Sequence, residues 1–231
     1  MRAHDTFGVR SAMVDVLIAA AHPSELIGLR KTLGRSLAAR VRGLRVRTCA
    51  IGVGLPAAAV GATRALHEHA PRALVLLGSC GAYARSPLLT AAVPSALQLV
   101  DAEVIAGRSA FPGAMPVNVK AHRGMSSGLA KCAGRGVLRG ALATTAGITT
   151  SDALAKRIAL GSGCAVENLE GVAVGLACQA ERVPFAGVLV VTNLVGKSGR
   201  ADWLRNHAAA AERGAEIVLD WLQRGAAGVP R

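Results

Sequence analysis

Aromatic side chains are nearly missing from this chain: Phe, Tyr and Trp together make up 3% of its 231 residues. A core must therefore be built from Val, Leu, Ile and Ala, which suits buried parallel strands flanked by Ala-rich helices. Acidic residues are also scarce, 14 against 27 Lys and Arg, so the formal charge is +13. That balance raises the question of a nucleic-acid partner. The arginines are scattered, however, without a block of five or more like charges. No aromatic-plus-basic stripe offers bases a stacking surface either. A solvated basic surface is the better reading, and an anionic small-molecule substrate would profit from the same field.

The five cysteines, at 49, 80, 132, 164 and 178, show neither CxxC spacing nor even pairing. They read as reduced, small core residues of a cytoplasmic protein rather than as a disulfide framework. His67 and His69 sit on a helix flank without a metal-ligand constellation, so no metal is expected. The one early apolar run, "VDVLIAAA", contains Asp15, is too short to span a bilayer, and lacks a signal-peptide cleavage pattern. No internal repeat and no linker divides the chain. Residues 1–12 are polar and aperiodic and read as a flexible extension, or as an artefact of where translation was taken to begin. Residues 13–231 are expected to form a single domain. A hydrophobic content of 52% excludes disorder and supports a large core.

What is present alternates. "VDVLIAAA" (14–21) reads as a buried strand, ended by "HPSE" and followed by a helical pattern through Leu37. "RVRTCAIGVG" (45–54) is a second strand running into a helix over 55–70 with Pro56 in its first turn. "ALVLLGSCGAY" (73–83) is a third strand. Over 84–145 the pattern weakens: strands are expected near 91–105 and 137–145, and a loop over 106–125. Ser151 and Asp152 cap a short helix over 150–163. A buried helix follows over 169–182, then a strand near 186–191. Last comes an amphipathic helix over 201–225, with Trp203, Leu204, Ile217, Val218, Trp221 and Leu222 on its apolar side. This order predicts a three-layer α/β/α sandwich with a mixed, largely parallel central sheet. Ligands gather beyond the carboxyl ends of such strands, and here those ends are polar: "HPSE", "GSCG" and "TN".

The segment "CAVENLEGVAVGLAC" (164–178) places Glu167 and Glu170 in otherwise apolar sequence. At the start of a buried helix, exposed N–H groups and the dipole would let Glu170 stay ionised. Such a carboxylate would accept from a ribose diol and support positive charge on a sugar ring. The plain alternative is that both glutamates cap the helix and pair with arginines. Gly52, Gly54 and Ala57 fit GxGxxA, but the acidic residue a dinucleotide site expects at the next strand end is replaced by "GSCG". No nicotinamide cofactor, and no cofactor of any kind, is expected. Nothing in the sequence orients Cys80 and His22 as a nucleophilic pair.

"AVENLEG" followed by "VPFAGVLVVTN" resembles the signature of the nucleoside phosphorylase and nucleosidase superfamily. "IGVGLPAAAVGA" with "ALVLLGSCGAY" resembles the strand–helix–strand unit that precedes it there. The likeness runs from about Val14 to Leu222. "TTSDALAKRIALGSGCAVENLEGVAVG" and "TNLVGKSGRADW" are most similar to the futalosine hydrolase branch.

The resemblance implies a purine nucleoside phosphorylase-like fold, a nucleoside substrate, and a homodimer or higher homo-oligomer. By motif, Glu25 resembles the carboxylate that orients the attacking water, and Glu170 the residue that grips the ribose hydroxyls. Ser79, Cys80 and Gly81 resemble the small-residue turn lining base and ribose. Leu154 stands where relatives stack an aromatic on the purine, while Glu167, Asn168 and Leu169 line the wall beside base and ribose. Phe111 would cover the 5′ side, across a dimer interface or as ordinary loop packing. Thr192 and Asn193 would stabilise the departing base.

Adenine-specific relatives carry Asp where this chain has Asn193. A neutral amide donates to N7 or to a 6-oxo oxygen, so hypoxanthine or guanine is favoured over adenine. Phosphorylases present an Arg and a Gly-rich loop after the first strand, where this chain has "AHPSE", so hydrolysis is expected over phosphorolysis. Futalosine is the substrate this favours. The alternatives are a methylthioadenosine/S-adenosylhomocysteine-type nucleosidase, a purine nucleoside phosphorylase, or a non-catalytic nucleoside-binding paralogue. The last is raised by Leu189, which stands where relatives often have an Arg.

Overall fold

A computed structural model describes residues 14–34, 38–84 and 86–230; the expected extension over 1–12 lies outside them. Continuous apolar runs make the sheet centre: β1 (Val16–Ala20), β4 (Leu74–Ala82) and β10 (Phe185–Leu194) are almost wholly buried. β2 (Ala38–Val41) and β3 (Leu44–Ala50) form a hairpin at one edge. Further strands are β5 (Ala91–Ala92), β6 (Ala96–Leu99), β7 (Asn118–Lys120), β8 (Ala141–Thr144) and β9 (Val166–Asn168). The order is β2-β3-β1-β4-β9-β8-β6-β7, with β10 pairing β4 and β5. The pairs β1/β3, β1/β4, β4/β10, β6/β8 and β8/β9 are parallel; β2/β3, β5/β10, β4/β9 and β6/β7 are antiparallel.

Helices cover both faces. α2 (Leu55–His69) and α6 (Gly171–Ala180) close one face over Leu17, Leu74, Leu76 and Leu189. α1 (Ile27–Leu33), α4 (Arg123–Ala133) and α7 (Gly199–Gln223) close the other over Ile18, Val75 and Leu77, with Trp221 fully buried. α3 (Ala102–Ile105) and α5 (Asp152–Ser162) pack at the β6–β8 end. The arrangement is the α/β/α sandwich with a mixed sheet. No helix among the described residues is long and apolar enough to cross a membrane.

Several local expectations are corrected. The expected loop over 106–125 contains β7 and the start of α4. α4 starts at a His122 cap, and its buried Met125 and Leu129 are one turn apart. Strand β9, for which no element was expected, precedes the expected helix over 169–182, which forms as α6. Asp15, odd in an apolar run, is held by Arg45 at 3.3 Å and Arg72 at 3.1 Å.

Two sheet irregularities place the site. β10 pairs β4 along its whole length, so β1 and β9 share the opposite edge. β1 pairs Leu74–Leu76 and β9 pairs Gly81 and Ala82. The stretch 77–80 between them is left without a strand partner on that edge, among the described residues. The second irregularity is a register shift between Val191 and Asn193, which leaves Thr192 as the extra residue of a bulge. Bulges re-aim the side chains beside them.

Candidate active site

The unpaired edge of β4 opens a solvent-connected cleft of about 160 Å³. Glu25, from the short turn Pro23–Leu26 after β1, enters it at that gap. Its Oε1 accepts from the Ser79 N–H at 2.9 Å and the Ser79 hydroxyl at 3.0 Å. Its Oε2 accepts from the N–H groups of Ala21 at 3.1 Å and His22 at 3.3 Å. Burial pushes the Glu25 carboxyl above the usual carboxylate range, and these donors pull it back only in part. Gly78 leaves room for it: a Cβ there would lie 3.1 Å from Oε1.

Glu170, the residue before α6, lines the same cleft. It does not cap its own helix. Oε1 accepts from the Gly54 N–H at 2.8 Å, and Oε2 from the Asn168 amide at 3.1 Å and the Leu169 N–H at 3.2 Å. The helix end is satisfied by Asn168 Oδ1, which accepts from the Glu170 and Gly171 N–H groups. The expectation that the helix terminus keeps Glu170 readily ionised is therefore corrected. Burial raises its carboxyl to about 7, Gly54 opposes that, and the Glu25 charge adds to it. The two acids thus share one cleft, and the Glu25 charge is felt at Glu170.

Glu167 accepts from the Tyr83 hydroxyl at 2.6 Å and from the Thr149 hydroxyl at 2.8 Å and N–H at 3.2 Å. Among the described residues neither Glu167 nor Glu170 forms an ion pair with an arginine, which removes the plain alternative. The bulge turns Asn193 to the cleft. Its Oδ1 accepts from the Thr192 hydroxyl at 2.8 Å, and its Nδ2 donates to the Leu194 carbonyl at 2.8 Å. These partners fix which end of the amide is nitrogen. Gly81 and Gly199 leave space for it: a Cβ on either would lie 2.9 or 3.1 Å from Nδ2.

The cleft thus gathers Glu25, Ser79, Cys80, Gly81, Glu167, Asn168, Leu169, Glu170, Thr192 and Asn193. Two expected residues lie elsewhere. Leu154 packs from α5 against the cluster of Val100, Ala143, Ile158 and Cys164, on the same side of the helix as Ile158 one turn on. Phe111 lies in the loop between α3 and β7 and lines no part of the cleft within one chain. Cys80 is buried, and burial with the nearby Glu25 charge pushes its thiol upward, which suits packing rather than attack.

Trp203, Arg200 and Ile148 were not anticipated. Trp203 was assigned to the apolar side of the last helix, yet its Nε1 donates to the Ser79 hydroxyl at 3.1 Å, and Leu204 beside it is exposed. The only local signal was "GRADW", a tryptophan in the first turn of a helix leaving a polar strand end. Leu189 is fully buried, paired with Gly78 and Ala92 in the core. Arg200 is the only Arg or Lys among the described cleft residues.

Solved structures share this architecture. A point mutant of the Helicobacter pylori methylthioadenosine nucleosidase with 5′-methylthioadenosine in its active site is 13% identical, with a TM-score of 0.83, over 92% of this chain and 100% of that one. A futalosine hydrolase mutant from Helicobacter pylori strain 26695 is 12% identical, with a TM-score of 0.83 and the same coverage. The Neisseria meningitidis methylthioadenosine/S-adenosylhomocysteine nucleosidase bound to methylthio-immucillin-A is 17% identical, with a TM-score of 0.82 over 92% and 100%. No curated protein sequence matches the chain. The family described as the phosphorylase superfamily matches residues 20–223, and this protein belongs to it.

Proposed function

We propose that the protein is an N-ribosyl hydrolase that cleaves a 5′-modified 6-oxopurine ribonucleoside, with futalosine as the leading substrate. One observation carries the choice of hydrolysis. The donors at the end of β1 and the open edge of β4, three N–H groups and the Ser79 hydroxyl, are filled by the Glu25 carboxylate. A phosphate would need those donors and would meet a negative charge instead. A buried carboxylate with a raised pKa is suited to take a proton from water.

In this reading Glu170 accepts from the ribose hydroxyls and stabilises the oxocarbenium-like centre as the glycosidic bond breaks. The Asn193 amide gives up its bond to the Leu194 carbonyl and donates to N7 or O6 of the leaving base. Of the three neighbours above, two bear the name methylthioadenosine nucleosidase and one futalosine hydrolase; at 12–17% identity they share the fold, and the choice of base rests on Asn193. Products would be hypoxanthine and the dehypoxanthinated riboside.

The test is to offer purified protein futalosine, inosine and methylthioadenosine, each with and without phosphate, and to follow free base. Phosphate-independent release from futalosine is expected. Phosphate-dependent release from inosine would make it a phosphorylase, and a preference for methylthioadenosine would overturn the role given to Asn193. Purine binding without any base release would make it a nucleoside-binding protein, the outcome that the buried Leu189 raises.

A further inference from the structure

We propose that Glu167 is a positioning residue: it holds the loop between β8 and α5 against the purine side of the cleft and does not itself touch the substrate. The purine belongs to the nucleosidase reading, on which the proposal rests; the tether can be tested apart from it. Glu167 is the buried acid that the mechanism above leaves without a task, at 6% exposure. Both of its oxygens are already occupied. Oε1 faces the Thr149 N–H, and Oε2 faces the hydroxyls of Thr149 and Tyr83. Three donors meet one acceptor-only group, which suits a clamp and leaves little of it for a ligand. Burial, and next the Glu167 charge, push the Tyr83 hydroxyl upward, so it keeps its proton and stays a donor.

The loop needs such a clamp. Of residues 146–151, Thr149 alone is buried. Ile148 beside it is 52% exposed, and both line the cleft. A segment with one buried anchor opens locally unless that anchor is held. Its two ends are fixed by other means. The Thr145 N–H donates to the Asn168 carbonyl at 3.2 Å, and Asp152 Oδ1 accepts from the Lys197 N–H at 2.9 Å. The second link ties the loop to the segment that follows Asn193, and Gly196 gives it room: a Cβ there would overlap Asp152 Oδ1. The loop thus stands on the Asn193 side of the cleft, where the proposed reading puts the leaving base. Successive side chains of β9 point opposite ways, so Glu167 serves this loop while Asn168 steadies Glu170. One three-residue strand orients both halves of the site.

The experiment compares wild type, Glu167→Gln and Tyr83→Phe by calorimetric binding of two probes, hypoxanthine for the base side and iminoribitol for the ribose side. Gln keeps the shape of Glu, but in either orientation its NH₂ faces at least one group that donates in wild type. Glu167→Gln is expected to weaken hypoxanthine by about tenfold, the size of a lost bond to a charged group, and to leave iminoribitol nearly unchanged. Tyr83→Phe leaves both Thr149 donors in place and should show a smaller loss of the same kind. Hydrogen exchange gives the readout that needs no ligand. Amides of 145–151 should exchange faster in Glu167→Gln, while those of α7 keep their wild-type rates. An equal loss of both probes would make Glu167 a general packing residue and overturn the proposal. So would unchanged hypoxanthine binding, or unchanged exchange over 145–151. Wild type that binds hypoxanthine but releases no base from futalosine would sink the nucleosidase reading alone, and the ratio of the two probes would still decide the role of Glu167.

Discussion

Trp203 Nε1 donates to the Ser79 hydroxyl at 3.1 Å, and that hydroxyl donates to Glu25 Oε1 at 3.0 Å. α7 is thereby coupled to the acid that the proposed mechanism assigns to water. Ser79→Ala removes one of the bonds to a buried carboxylate and leaves the indole N–H without its acceptor. A bond to a charged group is worth roughly 1.5–3 kcal/mol, so kcat/KM is expected to fall by about tenfold or more. The hydroxyl favours the ionised acid, so the acid limb of the pH profile should also move upward in Ser79→Ala. Trp203→Phe keeps an aromatic ring in the cleft against Arg200 and His207, loses the N–H donated to Ser79, and should cost less. Equal pH profiles in wild type and Ser79→Ala would rule out this coupling.

Asn193→Asp tests the base. The neutral amide suits a 6-oxopurine, whereas an aspartate can accept from a 6-amino group and pass a proton to N7. The ratio of kcat/KM for inosine over adenosine is expected to fall by at least about tenfold. The substitution also sets a carboxylate oxygen against the Leu194 carbonyl, which Asn193 Nδ2 now satisfies at 2.8 Å. A stability loss of about 1 kcal/mol should accompany the change. Thermal melts check the second effect and steady-state kinetics the first. An unchanged ratio would show that the base is read elsewhere.

The sheet centre was legible because β1, β4 and β10 are continuous apolar runs bounded by turn residues. β2 was not: it is a four-residue edge strand of alternating exposure, whose place is set by its hairpin with β3. β9 was hidden because two of its three residues are Glu167 and Asn168, and only the neighbouring strands β4 and β8 make it a strand. The site acids could be picked out from motif and burial cost. The Ser79–Trp203 link and the position of Arg200 could not, since they depend on how α7 docks on β4 and no local spacing encodes that. Leu154 shows the converse. A motif position carried over by resemblance was overridden by the packing of α5.

Gly81→Ala tests whether close packing holds the amide in place. A Cβ there would lie 2.7 Å from Val195 Cγ2 and 2.9 Å from Asn193 Nδ2, so both side chains must shift. Overpacking of this kind costs roughly 1–3 kcal/mol. The displaced amide should raise KM for the nucleoside more than it lowers the melting temperature would suggest, because the base contact is lost directly. Gly61→Ala is the control: its Cβ would lie 1.9 Å from the Ile51 carbonyl, at the junction of α2 with the strand end. It should lower stability at least as much without a selective effect on KM. Similar KM changes in both would reduce Gly81 to a packing residue.

The raised carboxyl of Glu170 makes activity and stability run in opposite directions with pH. Its folded-state pKa is about 7 against an ordinary 4.5. Below pH 4.5 the group is protonated in both folded and unfolded chains. Between pH 4.5 and 7 the folded chain keeps a proton that the unfolded chain has released, so the folded state loses its advantage as pH rises. Above pH 7 the buried charge is carried in full, at a cost on the order of 3 kcal/mol relative to the acid side. Glu25, raised by burial as well, contributes with the same sign. Catalysis in the proposed reading needs the ionised acids, so kcat/KM should climb with pH toward about 7. That limb belongs to the pair, since each charge disfavours the other. Melting temperature should decline over the same interval, once the remaining titrations are matched by a Glu170→Gln comparison. A limb centred near 4.5, or a melting temperature that rises with pH through this window by more in wild type than in Glu170→Gln, would mean that water reaches Glu170 and that its charge is not held in a dry cleft.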